Sequence, residues 1–387
     1  MSNKTFKPGW RWVRFGDVVR QCKEKADPET SGLERYIAGD HMDTDDLRLR
    51  RWGEIGSGYL GPAFHIHFKP GQVLYGSRRT YLRKVAVADF EGICANTTFV
   101  LEPKRPDELL PELLPFLMQT ETFNAFSVKN SKGSVNPYIN FSDLARFEFA
   151  LPPMDEQKRL LAGLLRFEEC LESEESLSDT AEKLRHSLMI DHFEASYSEY
   201  RKVSEIGKWH SGGTPSRGNA SYWGGQIPWI SPKDMKLPEL DSAKESLTTA
   251  GVDAGSKLMP KDTIMIVVRG MILAHTFPVA RTLVPAAFNQ DMKALVVSKE
   301  YRSKYIQYWF EYAAPSYLQL VSESSHGTKR LESEKLLALE VPKIDLDEQD
   351  AFISQVDDIR AAVNKAKLRQ ADAMTMKRYF LNQHLAS

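Results

Sequence analysis

The chain has 387 residues, of which 42% are hydrophobic and 27% are charged, and its formal net charge at pH 7 is -1. A chain of this length and composition is expected to be a soluble globular protein, and two domains are the default expectation. The near-neutral charge argues against nucleic-acid binding over the whole surface, because displacing counterions from phosphates requires basic residues. Any such binding would depend on local basic segments.

The sequence shows no membrane segment and no sign of secretion. The most apolar run, residues 264–275, is interrupted by Arg269 and Gly270, so it is shorter than the roughly 18 apolar residues that indicate a transmembrane helix. Residues 1–15 lack the apolar core of a signal peptide. The three cysteines, Cys22, Cys94 and Cys170, are far apart and odd in number, which favours a reducing compartment without disulfides or a zinc cluster. We therefore expect a cytoplasmic protein.

Two similar series of elements follow each other along the chain. Each begins with short runs rich in Ile, Val, Tyr and Phe, separated by Gly and Pro, which predict strands and tight turns. Each then contains a predicted helix, over residues 111–126 in the first series and 303–321 in the second. Each ends with a proline, an Asp-Glu-Gln sequence and a helical stretch of 39 residues, from Asp155 to Phe193 and from Asp347 to Leu385.

The two series are copies of one plan. Four pairs of segments resemble each other and occur in the same order, about half a chain length apart: 12–19 and 200–207, 35–42 and 228–235, 71–79 and 261–269, and 131–157 and 324–349. A repeat of this length changes what each local motif can mean. The loop GGTPSRGNASYWGG, residues 212–225, has no counterpart in the first copy and is expected to be an ordered loop that Tyr222 and Trp223 pack onto the domain.

The closing helices carry apolar residues at coiled-coil spacing. In the second helix, Phe352, Val356, Ile359, Val363 and Ala366 alternate steps of four and three residues. The first helix has the same spacing at Leu160, Leu164, Phe167 and Leu171; its phase is predicted to slip by one residue before resuming at Leu177, Ala181, Leu184 and Leu188. The pattern predicts that the two helices pack together and that the globular halves are related by an approximate twofold.

At this point the chain resembles the specificity subunits of type I restriction-modification enzymes, over nearly its whole length. The signature is GGTPSR followed by YWGG and IPWIS with an acidic-Met pair, and it stands here between Gly212 and Met235. LPPMDEQKRL, residues 151–160, is a second family signature, and VPKIDLDEQDAF, residues 341–352, is its degenerate counterpart.

The resemblance implies an α+β fold with two strand-rich target-recognition domains of mixed α/β structure, related by a pseudo-twofold and joined by two long antiparallel coiled-coil helices. The expected boundaries are 1–150 for the first recognition domain, 151–197 for the central helix, 198–341 for the second recognition domain and 342–387 for the distal helix. It also implies a non-catalytic subunit, in which each recognition domain reads one half of a bipartite, asymmetric DNA site and the helices set the separation of the halves.

The expected partners are double-stranded DNA, two methyltransferase subunits that dock on the helices, and a restriction motor subunit. S-adenosylmethionine belongs to the methyltransferase, and ATP and Mg belong to the motor, so this chain is expected to bind no cofactor itself. A specificity module of a related restriction or phage-defence complex stays open as an alternative. A self-contained methyltransferase or nuclease is disfavoured, because the required motifs are missing.

The strongest DNA-contact candidates lie in SRRTYLRK, residues 77–84. Arginine can pair with guanine and lysine with phosphate, and an aromatic ring adds a flat surface. The candidates here are Arg78, Arg79, Tyr81, Arg83 and Lys84, with Tyr75 beside them; Arg269 and His275, with Arg281, occupy the comparable stretch of the second copy. The alternative is a solvated basic hairpin.

A glycine loop recurs in both copies and forms a second set of candidates. Glycine lets a backbone approach a phosphate closely, and hydroxyl and amide groups can bind a phosphate or a base edge. The residues are Lys132, Gly133, Ser134 and Asn136 in the first copy, and His326, Gly327, Thr328, Lys329 and Arg330 in the second. A loop ordered only for packing is the alternative. Ser216 and Arg217, in the 212–225 loop, are further possible contacts.

Three other patterns are interpreted as structural. Residues 164–182 carry seven acids against Arg166 alone, so Glu168 and Glu172 are expected to face a protein and not phosphate. GSGYLG, residues 56–61, is followed by Pro62 where a nucleotide-binding helix would begin, which favours a hairpin turn. His65 and His67 lack a third metal ligand and are expected on an exposed strand face.

Overall fold

The computed structural model describes residues 8–323 and 327–385. Within these ranges the chain forms two compact units. Unit 1 contains residues 8–175 and 367–385, and unit 2 contains residues 176–323 and 327–366. Each unit therefore combines one strand-rich domain with parts of both long helices.

Unit 1 consists of short strands followed by short helices, as the runs of Val, Ile and Phe predict. Its strands are β1 Arg11–Arg14, β2 Val19–Cys22, β3 Arg35–Ile37, β4 Gly53–Glu54, β5 Phe64–Phe68, β6 Val73–Gly76, β7 Val85–Val87, β8 Gly92–Ala95, β9 Thr98–Pro103 and β10 Glu148–Leu151. Its helices are α1 Phe15–Val18, α2 Leu114–Met118, α3 Glu121–Lys129, α4 Phe141–Leu144 and the first part of α5 Met154–Phe193.

The strands of unit 1 form two four-stranded sheets and one antiparallel pair. One sheet has the order β2-β9-β6-β7 and is antiparallel throughout. The other has the order β4-β3-β8-β5, in which β3 and β8 run parallel. β1 pairs with β10 directly before the long helix α5. The turn into β6 uses Gly71 at φ +86°, a left-handed conformation that glycine adopts without strain.

Unit 2 repeats this series with some additions. Its strands are β11 Tyr200–Lys202, β12 Gly207–Ser211, β13 Trp223–Ile230, β14 Glu239–Leu240, β15 Glu245–Leu247, β16 Ile264–Val267, β17 Val279–Thr282, β18 Ala287–Phe288, β19 Met292–Val297, β20 Ser322–Glu323, β21 Lys329–Arg330 and β22 Glu340–Pro342. Its helices are the last part of α5, α6 Thr249–Gly255, α7 Ser303–Gln319, α8 Ser333–Ala338 and the first part of α9 Leu346–His384.

The strand order confirms that the two copies share one plan. The larger sheet of unit 2 runs β12-β19-β16-β17-β14, the order of β2-β9-β6-β7 with one strand added. In the second sheet β13 is parallel to β18, as β3 is parallel to β8, so the residues PWI at 228–230 occupy the place of RYI at 35–37. β11 pairs with β22 before α9, as β1 pairs with β10 before α5.

The predicted helix at 111–126 is broken in unit 1. A 3-10 turn at Pro111–Leu113 leads into α2, and the chain then restarts as α3, where the Thr120 hydroxyl accepts a hydrogen bond from the Phe123 N–H at 3.3 Å. This side-chain cap satisfies a donor at the start of a helix. In unit 2, α7 is continuous over 17 residues and includes Pro315. The sequence therefore predicted the second helix better than the first.

The predicted phase slip in the first long helix is wrong. Leu177 and Leu184 are exposed, whereas the buried or half-buried positions continue at steps of three and four: Leu160, Leu164, Phe167, Leu171, Glu174, Ser178, Ala181, Arg185, Leu188 and His192. The seam is uninterrupted, but polar residues occupy part of it, so following leucines alone gives a false phase. The predicted seam of the second helix is correct, since Phe352, Val356, Val363 and Ala366 are buried and Ile359 is half-buried.

Each long helix is joined to its domain by a buried glutamine of the Asp-Glu-Gln sequence. The Gln157 amide donates to the carbonyls of Glu108 at 2.8 Å and Pro152 at 2.9 Å and accepts from the Leu110 N–H at 2.9 Å. Gln349 forms the same three bonds in unit 2. Its partners, each 192 positions further along the chain, are the carbonyls of Glu300 and Ile344, both at 3.0 Å, and the Arg302 N–H at 2.7 Å. The two joints are built alike.

Candidate nucleic-acid interface

The structure brings the two candidate segments of unit 1 together. The Arg79 N–H donates to the Pro137 carbonyl at 2.6 Å, and the Ile139 N–H donates to the Ser77 carbonyl at 3.0 Å. The hydroxyls of Thr80 and Ser131 are 2.9 Å apart and hydrogen-bonded. Residues 77–84 and 131–138 therefore form one surface, which we call loop cluster 1.

Arg78, Arg79 and Tyr81 have exposed side chains at this surface. Arg79 adopts a left-handed backbone conformation, with φ +48°, immediately before a 3-10 turn over Thr80–Leu82. A non-glycine residue in this region costs free energy and is maintained by its surroundings, here by the hydrogen bond to Pro137. The loop presents two neighbouring guanidinium groups to solvent.

Other predicted residues of this segment are held by the protein. The Arg83 guanidinium, 14% exposed, pairs with Asp45 at 2.8 Å and Glu121 at 2.9 Å. The Lys84 ammonium donates to the Gly39 carbonyl. Both therefore stabilise the loop from its inner side.

The expectation that Tyr75 flanks the arginines is wrong. Tyr75 is buried and its hydroxyl bonds to Ser127 at 2.5 Å. All four residues of β6 are buried, and burial raises the pKa of the Tyr75 hydroxyl to about 12. The aromatic ring that does lie beside the arginines is that of Tyr138. This ring is half-exposed, and its residue pairs with both Arg78 and Lys132 in isolated bridges.

The glycine loop of unit 1 is ordered by an ion pair at its base. Lys132 Nζ lies 2.7 Å from Asp143 Oδ2, and this hydrogen bond lowers the pKa of the Asp143 carboxyl. Gly133 has φ +87°, where a side chain would strain the backbone. Ser134 and Asn136 are exposed at the tip of the loop. The lysine positions this loop, and the hydroxyl and amide side chains are available to a ligand.

The equivalent segments of unit 2 also meet. Arg269 and Arg330 form an isolated bridge, the Gly270 N–H donates to the Lys329 carbonyl at 3.0 Å, and the Leu331 N–H donates to the Val268 carbonyl at 2.9 Å. Residues 268–275 and 327–331 form loop cluster 2, which likewise contains a 3-10 turn, Met271–Ala274. The juxtaposition found in unit 1 is thus repeated.

The side chains of loop cluster 2 are less basic. Arg269, His275 and Arg330 are exposed and Thr328 is half-buried, whereas Lys329 pairs with Glu323 at 2.6 Å. Arg281 is not at this surface; it pairs with Asp262 and Glu239. Met271 and Ile272, two apolar residues beside Arg269, are also exposed. His326 lies outside the described residues.

Most arginines of the described chain are already paired, which makes the exceptions informative. Within residues 8–323 and 327–385, almost every guanidinium contacts a carboxylate or stacks on an aromatic ring. The exceptions are Arg78, Arg79, Arg166, Arg269 and Arg330, and four of these five lie in the loop clusters. Unpaired guanidinium groups are available for an external anion.

The loop at 212–225 is ordered, as predicted, and it holds Arg217. The Arg217 guanidinium lies 3.9 Å from the Trp223 ring centroid and 5.0 Å from that of Trp229, and it pairs with Glu245. The indole N–H of Trp229 donates to the Gly213 carbonyl at 3.0 Å. A Cβ on Gly213 would lie 2.2 Å from the Gly255 carbonyl oxygen, so only glycine permits this packing. This loop packs onto its own domain.

The acidic segment of α5 faces basic residues of its own unit. Glu175 pairs with Arg50 at 2.5 Å and with Arg48 at 3.2 Å. Glu168 pairs with Lys377, whose side chain is only 3% exposed, at 2.5 Å. Glu172 is largely exposed and lies 3.9 Å from Arg48. Part of the acidic charge that the sequence assigns to a protein contact is therefore neutralised within unit 1.

His65 and His67 do not form an exposed strand face. His67 is 11% exposed and lies between Glu91 at 2.8 Å and Glu24 at 3.1 Å, while His65 bonds to the Pro62 carbonyl. In the described ranges, no group of three or more His, Cys, Asp or Glu side chains could hold a metal ion. Over the same ranges, no helix combines the length and the apolar character needed to cross a membrane.

Comparison with known proteins gives one family for both halves. The family model "Type I restriction modification DNA specificity domain" matches residues 10–183 and 196–372. The specificity subunit of the EcoR124I/EcoR124II type I restriction enzyme of Escherichia coli is 35% identical over 168 residues, which are 43% of this chain and 42% of that protein. The MjaIX specificity subunit of Methanocaldococcus jannaschii is 30% identical over 169 residues, 42% of this chain and 38% of that protein. The matched stretch thus spans less than half of each relative.

Solved structures share the fold over nearly the whole chain. A chain from work on complex assembly and conformational transition of the type I R-M system covers 98% of both chains with a TM-score of 0.65 and 18% identity. The type I restriction-modification S subunit from M. genitalium covers 98% of this chain and 97% of that chain with a TM-score of 0.57 and 15% identity. With the two family matches, the repeated sheets and the long helices, the protein belongs to the type I restriction modification DNA specificity domain family and carries two copies of that domain.

Proposed function

We propose that this chain is the DNA specificity subunit of a type I restriction-modification complex, in which each unit reads one half of a bipartite, asymmetric DNA site. The observation that carries the proposal is the pair of loop clusters, built from equivalent segments of the two copies and each presenting arginines without a carboxylate partner. Two similar readers on one chain suit a site with two different halves, as two subunits of a dimer suit a palindrome.

The side chains of the loop clusters have the chemistry for this role. The guanidinium groups of Arg78, Arg79, Arg269 and Arg330 can bond guanine O6 and N7 or a phosphate. Tyr81 and Tyr138 offer half-exposed rings beside the arginines of loop cluster 1. Ser134, Asn136, His275 and Thr328 can bond phosphates or base edges. Lys132 and Lys329, each paired with a carboxylate, are proposed to position the loops.

The chemical steps belong to partner proteins in this proposal. The chain itself is non-catalytic: two methyltransferase subunits supply S-adenosylmethionine and methylate adenine, and a motor subunit supplies ATP and Mg for restriction. The two curated relatives are named specificity subunits of restriction enzymes, which supports this division of roles.

The long helices are the proposed docking surface for the methyltransferase. On the part of α9 that belongs to unit 1, Leu368, Met376 and Tyr379 are each more than 60% exposed. Large exposed apolar side chains on a helix that already has a buried seam are typical of a protein interface. Replacing Met376 and Tyr379 by glutamate should abolish co-purification with the methyltransferase without changing thermal unfolding; unchanged co-purification would contradict this surface.

The decisive experiment is a map of adenine methylation in cells that express this chain with its methyltransferase. The proposal predicts a split motif that appears only when the chain is present. Substituting alanine for Arg78 and Arg79 should relax one half of the motif, and substituting alanine for Arg269 and Arg330 should relax the other half. A continuous motif, or methylation that is independent of this chain, would overturn the proposal.

A further inference from the structure

A polar groove in unit 1 extends loop cluster 1 beyond the residues discussed so far. Its volume is about 680 Å³, and Arg78 and Tyr138 form one side of it. Further lining residues come from the end of β2, the turn after β8 and the start of α4. The polar side chains that reach it from these places are Gln21, Lys23, Asn96, Thr97, Asn140 and Ser142.

The groove differs from its neighbours in charge, because its lining contains no carboxylate. Four other grooves of unit 1 each contain at least one: Glu54 in the largest, Glu172 beside α5, Glu174 between the long helices and Asp45 below Arg83. Carboxylates repel phosphates, so the groove beside Arg78 suits a nucleic acid better than these four do. Two cations, Lys23 and Arg78, stand at its edge.

The polar groups of the groove are available to a ligand. Among the described residues, the side chains of Lys23, Asn96 and Thr97 form no hydrogen bond or ion pair within the protein. Asn96 and Lys23 are exposed. The Asn96 amide has a donor and an acceptor that can match a base edge, and the Lys23 ammonium has a charge that can match a phosphate. Neither group has a partner within the described part of the protein.

In unit 2, the equivalent place is bonded to the protein's own chain. The Ser77 N–H donates to the Thr97 carbonyl, and the Val268 N–H donates to the Asp291 carbonyl, both at 2.9 Å, so Asn96 corresponds to Gln290 and Thr97 to Asp291. Gln290 is hydrogen-bonded to Thr214 of the 212–225 loop. A Cβ on Gly212 of the same loop would lie 2.3 Å from the Asn289 carbonyl oxygen. The loop that is absent from the first copy thus binds the side chain of Gln290, whereas Asn96 has no such partner among the described residues.

We infer that the groove binds one nucleotide of the half-site read by unit 1, with Asn96 facing the base edge and Lys23 facing a phosphate. The inference rests on the proposed function and makes it more specific, because the two units then read DNA differently. Unit 1 uses loop cluster 1 together with an open groove. Unit 2 uses loop cluster 2, and its equivalent amide side chain, Gln290, is already bonded to the 212–225 loop.

The matched pair Asn96→Ala and Gln290→Ala tests the base contact. Asn96→Ala should lower discrimination at one base pair of the unit 1 half-site by about tenfold, the scale of one bidentate contact, and the methylation map should show that position relaxed. Gln290→Ala should leave the unit 2 half-site unchanged. Both variants should unfold at the wild-type temperature. Full discrimination in Asn96→Ala, or relaxation of the unit 2 half-site in Gln290→Ala, would overturn the inference.

The pair Lys23→Ala and Lys25→Ala tests the phosphate contact. Lys23 lines the groove, whereas Lys25, two residues further, lines the acidic groove that contains Glu54. Lys23→Ala should reduce the slope of log affinity against log salt by about one, and Lys25→Ala should not change it. Equal slopes in the two variants would refute the phosphate contact. If Asn96→Ala and Lys23→Ala have no effect while Arg78→Ala relaxes one half-site, the proposed function stands and this inference falls; if no variant affects DNA binding, both fall.

Discussion

The joints and the loop clusters of the two units differ in how closely they repeat. At the joints, Gln157 and Gln349 form the same three hydrogen bonds to partners at the same spacing. At the loop clusters the backbone contacts recur, but the exposed side chains differ: they include Arg78, Arg79 and Tyr81 in unit 1, and Arg269, Met271 and His275 in unit 2. The repeated backbone supports both clusters in the same way, and the different side chains can give each unit its own target.

The strongest test of the shared joint is the loss of either glutamine. Gln157→Leu leaves the Leu110 N–H and the carbonyls of Glu108 and Pro152 buried without a partner, and each such group costs about 1–3 kcal/mol. We expect a loss of about 3 kcal/mol or more. Gln349→Leu should cost a similar amount, because its partners are equivalent. Chemical denaturation followed by hydrogen exchange of each unit measures both losses.

The exposed neighbour Lys158→Ala serves as the control and should change stability by less than about 0.5 kcal/mol. If the two glutamine substitutions lower the free energy of unfolding by very different amounts, the same three hydrogen bonds do not stabilise the two units equally, and the comparison fails.

A second prediction concerns the charges that the helix seam encloses near each joint. In unit 1, Lys377 pairs with Glu168 and lies 5.3 Å from the Phe116 ring centroid. In unit 2, Arg185 is equivalent to Lys377 and Arg360 is equivalent to Glu168. Both arginines lie 3.5 Å from Glu311. The positively and negatively charged residues occupy different positions in the two units, but in each unit a carboxylate still pairs with a cation.

Lys377→Met should cost about 3 kcal/mol, because it leaves the largely buried Glu168 without its partner. The double variant Lys377→Met with Glu168→Gln should recover much of that loss, since no unpaired charge then remains. Thermal unfolding of the four members of this cycle gives the coupling. Additive losses would mean that the pair is not coupled and that the methylene packing of Lys377 alone matters.

A third prediction separates the two loop clusters. The double variants Arg78→Ala/Arg79→Ala and Arg269→Ala/Arg330→Ala should each weaken binding to the full DNA site by about 10- to 100-fold and lower the salt slope, because each removes two unpaired cations. Fluorescence anisotropy at several salt concentrations measures both effects. Arg14→Ala, which removes an exposed arginine of a surface ion pair with Glu148, is the matched control and should retain affinity and slope. A loss confined to one double variant would show that only one unit reads DNA.

The features that the sequence predicted are those that depend on local pattern and on the repeat. The strands, the long helices, the equivalence of RYI with PWI and the ordered 212–225 loop follow from residue spacing. The phase of α5 did not, because Glu174, Ser178 and Arg185 occupy the seam and a search for apolar residues cannot find them. Their burial depends on the partner helix, which lies far away in sequence.

The sequence identified the segments that form the candidate site, but not which of their side chains are free to bind a ligand. Arg79 and Arg83 look alike in SRRTYLRK, yet one is free and the other is held by Asp45, which lies 38 residues earlier. Pairing of that kind is decided by the tertiary fold, and so is the lining of the groove around Asn96, which combines residues from distant parts of the sequence. Differences between equivalent positions of the two copies distinguish these side chains, whereas the residue types alone do not.

The smallest expected effect is a pH dependence specific to unit 2. His192 stacks on Phe352 with ring centroids 3.9 Å apart and bonds to the Tyr305 hydroxyl at 3.1 Å; in unit 1, Leu160 stands at the place of Phe352. Burial lowers the pKa of His192 from its ordinary value of 6.5 to about 4. The folded state therefore keeps the imidazole neutral where the unfolded chain would protonate it, so this contribution to stability is complete above pH 6.5 and is lost as the pH falls towards 4.

His192→Phe should flatten the fall in the unfolding temperature of unit 2 between pH 7 and pH 5, because the aromatic contact is kept and the titrating group is removed. Carboxyls with a lowered pKa, such as Glu239, lose their contribution only at more acidic pH and do not contribute in this window. His186→Gln, an exposed position on the same helix, is the control and should keep the wild-type profile. A wild-type profile in His192→Phe would show that the acid sensitivity arises elsewhere. The contact of His192 with Phe352 in unit 2 would then differ from the equivalent place in unit 1, which has Leu160, in packing alone.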